Sequence, residues 1–168
     1  FAGIGVITRR DLEEINWAVL WMVAGGFALG VALNETGLAA NLINSIPFNT
    51  WPVLAVLIGS GVICYTLSNF ISNTATAALL VPILAVVGKS MTAELAPIGG
   101  VACLLIGIAV AASVAMILPI STPPNALAHG TGMIEQKYMA KSGLIMGIIG
   151  LVLGYVMLVL LGTIGFFG

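Results

Sequence analysis

Charge is what this sequence has least of. Five Lys and Arg, six Asp and Glu and one His are spread over 168 residues, so that charged side chains make up 7%, against about 25% in an ordinary soluble domain. So few charges cannot cover the surface that a water-soluble fold of this size exposes, and such a fold is excluded. A basic stripe is missing too. The net charge is −1, and without clustered Lys and Arg nothing neutralises phosphates, which removes nucleic acid as a partner. Cysteine is scarce, and Cys64 and Cys103 both lie in apolar runs, where a thiol behaves as a small hydrophobe and suggests no metal site. An initiator Met, a cleavable signal pattern and a polar tail are also absent. The chain begins in apolar sequence at Phe1 and stops on Phe166, Phe167 and Gly168, and the expectation is a piece of a longer polypeptide.

What is present is hydrophobic: 60% of the residues are apolar, and 15–34, 36–88, 95–134 and 142–168 hold no Asp, Glu, Lys or Arg. Each run reaches or exceeds the ~20 residues that span a bilayer. The fold class is therefore an all-α polytopic membrane protein. After the polar patch of residues 8–14, which carries five of the eleven charges, residues 15–33 read as a crossing helix. Residues 34–46 are too short to span. Leu38, Leu42, Ile43 and Ile46 recur near helical spacing against Asn41, Asn44 and Ser45, as in a helix lying along the membrane surface.

Pro47, Asn49 and Pro52 then allow a sharp turn into 53–67. Ser68, Asn69, Ser72, Asn73, Thr74 and Thr76 cluster next, and apolar sequence resumes over 77–87 with Lys89 beyond it. The second arm is expected to be about fourteen residues, or about 21 Å, short of the ~30 Å hydrocarbon core. This favours a re-entrant hairpin with its polar tip near mid-membrane, where non-helical backbone is tolerated only inside protein or beside water. A second long helix is expected over 96–118, broken by Pro119, Ser121, Thr122, Pro123, Pro124 and Asn125, since three prolines within six residues stop a helix. A half-helix over 126–132, a polar link over 135–141 and a last crossing helix over 143–167 complete the pattern. Three crossings result, one of them broken. With a hairpin that enters and leaves on one side, Arg9, Arg10, Lys137 and Lys141 share one face and Lys89 stands on the other, so the four-charge face is expected to be cytoplasmic by the positive-inside rule and the protein a multi-pass one of the cell (inner) membrane.

The chemistry lies in the two polar interruptions, around Ser72, Asn73 and Thr74 and around Thr122, Pro123, Pro124 and Asn125. Broken helices of this kind occur at transporter substrate sites, where half-helix N-termini offer N–H groups to anions while carbonyls and side-chain oxygens coordinate cations. Ser, Thr and Asn also serve as ordinary interhelical hydrogen bonders. Two clusters with three prolines argue for more than packing, because freed backbone groups need partners. His129 is the only titratable side chain away from the polar links, and a short half-helix brings it toward the interface, in an incidental role. The spacings Gly26 to Gly30, Gly143 to Gly147 and Gly150 to Gly154 match GxxxG and point to close helix packing before a dimer contact. Glu35, Glu94 and Glu135 lie in polar links. No carboxylate pair, Cys/His ligand set or nucleophile–base arrangement stands in the apolar runs, so an enzyme is poorly supported.

The tip SNTAT over 72–76, followed by LPISTPPNALAHGTG over 118–132, resembles the C-terminal half of the divalent anion:sodium symporter family, the di- and tricarboxylate carriers. INWAVLWMVAGGFALGVALNETGLA over 15–39 is similar to the family's preceding helix and surface helix. The resemblance implies one of two inverted repeats of an elevator-type homodimer, with residues 1–46 belonging to a scaffold and residues 47–168 to a transport unit. It further implies that Ser72, Asn73, Thr74, Thr122 and Pro123 bind substrate. One sodium ion would be held by Ser68, Asn73 and backbone oxygens near Ile71 and Ser121. The implied partners are a small carboxylate anion, sodium, the lipid bilayer, the other repeat and a second subunit. The expected function is sodium-coupled di- or tricarboxylate transport. The alternatives are a carboxylate exchanger or other anion carrier, such as one for sulfate, of the same architecture, and, further off, a channel or structural membrane subunit.

Overall fold

The computed structural model describes residues 50–167 continuously and isolated positions between 17 and 47. The crossing helix expected over 15–33, the surface helix expected over 34–46 and hence the whole scaffold region of residues 1–46 lie outside the described residues but for those positions. Every regular element among the described residues is a helix: α1 Val53–Ser68, α2 Asn73–Ser90, α3 Thr92–Leu95, a 3-10 turn Ala96–Ile98, α4 Gly100–Ser113, α5 Pro123–Gly130 and α6 Gln136–Thr163.

α4 is the hub and packs against α1, α2 and α6. Cys103, Leu104, Gly107, Ile108, Ala111 and Ala112 form its buried face, small or slender side chains that let three neighbours approach one helix. The Cys64 thiol meets the Ile108 carbonyl at 3.4 Å and the Cys103 thiol meets the Leu158 carbonyl at 3.8 Å, so both cysteines are packed between helices. α6 is 28 residues, about 42 Å at about 1.5 Å per residue. It buries only Met139, Gly143, Gly147, Tyr155, Leu158 and Gly162. Its outer face is equally apolar, with Leu153 62% and Met157 61% exposed, as expected where the surrounding medium is lipid. Tyr155 lies in notches left by Gly61 and Gly107, and Tyr65 lies against Gly147. Gly143 abuts the Met116 carbonyl, while Gly150 and Gly154 face Val114 and Val110. The described GxxxG spacings thus serve packing within the chain.

Several element bounds differ from expectation. Helix α4 does not run over 96–118: it starts at Gly100 and ends at Ser113. Its start is a corner, bent by 69° from the preceding segment Thr92–Ile98. Gly99 makes this corner at φ +98 with the Gly162 backbone 2.9 Å from where a Cβ would stand. The helix has already ended at Ser113 before Pro119, through which no helix could run on, since that residue has no N–H for the Ala115 carbonyl. Pro123 and Pro124, by contrast, are the first two residues of α5, positions whose N–H groups have no helical acceptor anyway. The half-helix therefore covers 123–130, not 126–132. The link expected over 135–141 is helical from Gln136, and α6 ends at Thr163. The second hairpin arm is 18 residues, not fourteen, about 27 Å. By length and composition α2 and α6 are each able to cross a membrane, and the bent pair with α4 makes a third candidate span among the described residues.

Candidate functional site

Four helix ends meet where the two polar interruptions come together. α1 ends at Ser68, α2 starts at Asn73, α4 ends at Ser113 and α5 starts at Pro123. The two N-termini are built alike. Ser72 precedes α2 in extended backbone and its Oγ accepts from the Ala75 N–H at 3.2 Å; Thr122 precedes α5 in the same way and its Oγ1 accepts from the Asn125 N–H at 3.4 Å. Each is a hydroxyl N-cap serving the third helical amide. At α2 the Asn73 and Thr74 N–H groups stand at the positive end of the helix dipole, about half a charge, whereas in α5 Pro123 and Pro124 have no N–H and the Asn125 and Ala126 amides are bonded to Thr122; the C-terminal carbonyls of α1 and α4 carry the negative end.

Side chains bind these ends together. The Ser68 hydroxyl donates to Asn73 Oδ1 at 2.7 Å and lies 3.4 Å from the Ala112 carbonyl, joining α1, α2 and α4. Asn69 is 3% exposed. Its Oδ1 accepts from the Ile117 N–H at 2.8 Å and its Nδ2 donates to the Tyr65 carbonyl at 2.8 Å. Ser121 Oγ donates to the Asn69 carbonyl at 3.1 Å and accepts from the Leu118 N–H at 3.1 Å. From the far side, Asn125 Nδ2 donates to the Met116 carbonyl at 2.8 Å and reaches the Leu118 carbonyl at 3.4 Å. The backbone released by the end of α4 is thus satisfied by side chains, which is the condition for unwound chain at membrane depth. Beside this knot an open cleft of about 500 Å³ is lined by Asn73, Thr74, Ala77, Ala78, Val81, Ala109, Ala112 and Ser113.

Residues 6–165 match the family model described as the sodium:sulfate symporter transmembrane region. The chain belongs to this family of divalent anion:sodium symporters. It is 38% identical over 165 residues to an uncharacterized transporter of Haemophilus influenzae, covering 96% of this chain and 33% of that one. It is 36% identical over 163 residues to the sodium-dependent dicarboxylate transporter SdcS of Staphylococcus aureus, covering 94% and 30%. With the Na(+)/dicarboxylate cotransporter 3 of Rattus norvegicus it shares 34% identity over 151 residues, covering 86% and 23%. The chain therefore spans about a quarter to a third of these relatives. Membership of a transporter family agrees with the apolar helices: this is a multi-pass membrane protein.

Of the symporter residues singled out from sequence, Ser68 and Asn73 are hydrogen-bonded to each other, and Asn73 and Thr74 line the cleft. Both belong to the first turn of α2 rather than to unwound chain, which covers only 69–72. Ser72 and Thr122 have their hydroxyls on the cap amides. Thr122 and Pro123 do not line the cleft of Asn73 and Thr74; they approach the tip through Ser121, one residue before, which is bonded to Asn69. Ile71 is buried and the Ser121 hydroxyl is committed, so what these two offer an ion is their main chain. His129 Nδ1 lies 3.2 Å from the Ile134 carbonyl and holds the turn after α5. Sequence reasoning gave no role to Asn69, Asn125 or the Ala112 carbonyl. Asn69 and Asn125 stand in the polar clusters, but nothing in their spacing reveals that Asn69 serves a backbone amide 48 residues away.

Proposed function

We propose that this chain is the C-terminal one of two inverted repeats of a sodium-coupled di- or tricarboxylate carrier. In this reading the carrier is a homodimer working by elevator-type alternating access, in which 47–168 move against a scaffold that includes 1–46. The observation that carries the reading is the Ser68–Asn73 bond of 2.7 Å, beside the Ala112 carbonyl, at the meeting point of four helix ends. Three oxygens converge there from three helices, and hard oxygen donors suit sodium. The carbonyl ends of α1 and α4 favour the cation, while the N-terminus of α2, with the Asn73 and Thr74 N–H groups, favours carboxylate oxygens. Substrate contacts fall to Ser72, Asn73, Thr74, Thr122 and Pro123, and sodium contacts to Ser68, Asn73 and the main chain of Ile71 and Ser121. No Lys or Arg lies in the apolar runs. An uncompensated charge costs at least ~2.5 kcal/mol at mid-membrane on the insertion scale, so co-transported sodium supplies the balancing charge. The relatives named as sodium-dependent dicarboxylate transporters support this assignment. α1, about 24 Å long, falls short of the ~30 Å core, which suits a re-entrant hairpin with α2.

The test is Asn73→Ala in the full-length protein. Loss of an amide serving a charged ligand is worth about 1.5–3 kcal/mol, or roughly ten- to a hundred-fold in affinity. Sodium-driven succinate uptake should collapse while the protein still folds and reaches the membrane; normal uptake by the variant refutes the site. The sulfate in the family description favours a second reading, a sulfate carrier of the same architecture. Sulfate that is itself transported, with succinate neither carried nor competing, would select it.

A further inference from the structure

A second cleft, of about 600 Å³, opens on the other side of the break, between α5 and the first turns of α6. It is lined by Asn125, Ile134, Tyr138, Met139, Lys141, Ser142 and Ile145. We propose that this cleft is a second oxyanion-binding site, in which Lys141 and Tyr138 hold a carboxylate or phosphate group outside the central site. The proposal rests on the carrier reading for its place in transport, but not for its chemistry.

Lys141 is the one charged residue of the lining, and no carboxylate shares the wall. Lys137 lies one helical turn before Lys141 on the same side of α6 and adds positive potential. The other polar groups of the lining sort cleanly. Ser142 has its hydroxyl on the Tyr138 and Met139 carbonyls, and Asn125 has its Nδ2 on the Met116 and Leu118 carbonyls. The donors left to a ligand are the Lys141 ammonium and the exposed Tyr138 hydroxyl, an arrangement suited to an acceptor-only oxyanion. The apolar remainder, Ile134, Met139 and Ile145, suits the carbon skeleton of a short dicarboxylate or the glycerol region of a lipid. Asn125 lines this cleft and belongs to the polar knot of the break. Its main-chain N–H belongs to the first turn of α5 while its amide holds the break, so an anion beside Lys141 stands next to the chain that closes the central site.

The experiment measures protection of lysines in the full-length protein. An amine-acylating reagent is applied to protein in neutral-lipid vesicles without sodium, and modification of each lysine is read by peptide mass spectrometry. Succinate or inorganic phosphate, against chloride of equal ionic strength, should slow acylation of Lys141 about two- to five-fold, the range of one solvent-accessible ion pair. Lys89, on the opposite face, should react at an unchanged rate. Protection by anionic-lipid vesicles alone would show that the oxyanion is a headgroup phosphate, which supports the same site with the other source. Equal reactivity of Lys141 under all these conditions overturns the proposal. In a parallel assay Lys141→Gln should raise the KM for succinate presented from the Lys141 face by a similar factor, with Lys141→Arg restoring it. Protection of Lys141 by a protein that shows no sodium-driven uptake keeps this site and removes the carrier reading; uptake without protection does the reverse.

Discussion

Removing the Asn69 carboxamide should loosen the break more than any single loss among the helix caps. In Asn69→Ala the Ile117 N–H loses its 2.8 Å acceptor and the Tyr65 carbonyl its 2.8 Å donor. The first is a donor outside any helix, because α4 has already ended at Ser113. The second is one of the carbonyls that α1 leaves open at its C-terminus. An unsatisfied buried group costs about 1–3 kcal/mol, whereas interhelical side-chain bonds in membranes average about 0.6 kcal/mol. The upper range applies to the amide, since Asn69 is only 3% exposed and water has little access. The carbonyl adds the smaller amount, and the total is about 2–4 kcal/mol. Because Ser121 and the cap of α5 hang on the same segment, the KM for the transported anion should rise as well. The assay is denaturant unfolding of the purified full-length protein in detergent, with uptake kinetics in vesicles. An unfolding free energy within about 0.5 kcal/mol of wild type, together with an unchanged KM, refutes the claim that Asn69 holds the break against the tip.

Two further outcomes follow from the packing and from the polar inventory. Gly143→Ala puts a methyl group against the Met116 carbonyl and 2.9 Å from Ile117 Cα, backbone that cannot yield without moving the break; it should cost at least about 1–3 kcal/mol, and Gly150→Ala, whose methyl meets the rotatable end of Val114 at 3.0 Å, should cost less, so equal thermal stabilities would contradict the packing described. Uptake should require sodium and keep its pH profile in His129→Gln, because His129 serves a turn carbonyl and no Asp or Glu lies between 95 and 134; sodium-independent uptake driven by a pH gradient and abolished by that substitution would overturn the coupling.

Hydrophobicity is a sum over local composition, and it is why the membrane class, the helical architecture and the positions of both polar clusters were legible in the sequence. The local hydrogen-bond chemistry of Ser72 and Thr122 was also within reach, since a hydroxyl before a helix caps its third amide wherever the helix sits. The family came from SNTAT and TPPNA, two short strings whose separation is a property of the chain. What those strings touch is not. The roles of the prolines illustrate the gap: three within six residues announce a break, but only the fold separates Pro119, which stands in the unwound chain after α4, from Pro123 and Pro124, which begin α5. Hydropathy likewise marked 135–141 as a polar link, yet 136–141 form the first turns of α6, where Gly143 needs them in register to approach the break. Asn69, Asn125 and the Ala112 carbonyl acquire their meaning only from partners brought near by packing around α4. A hydrogen bond between residues 48 apart in sequence depends on where two helices end in space, and no local pattern carries that distance.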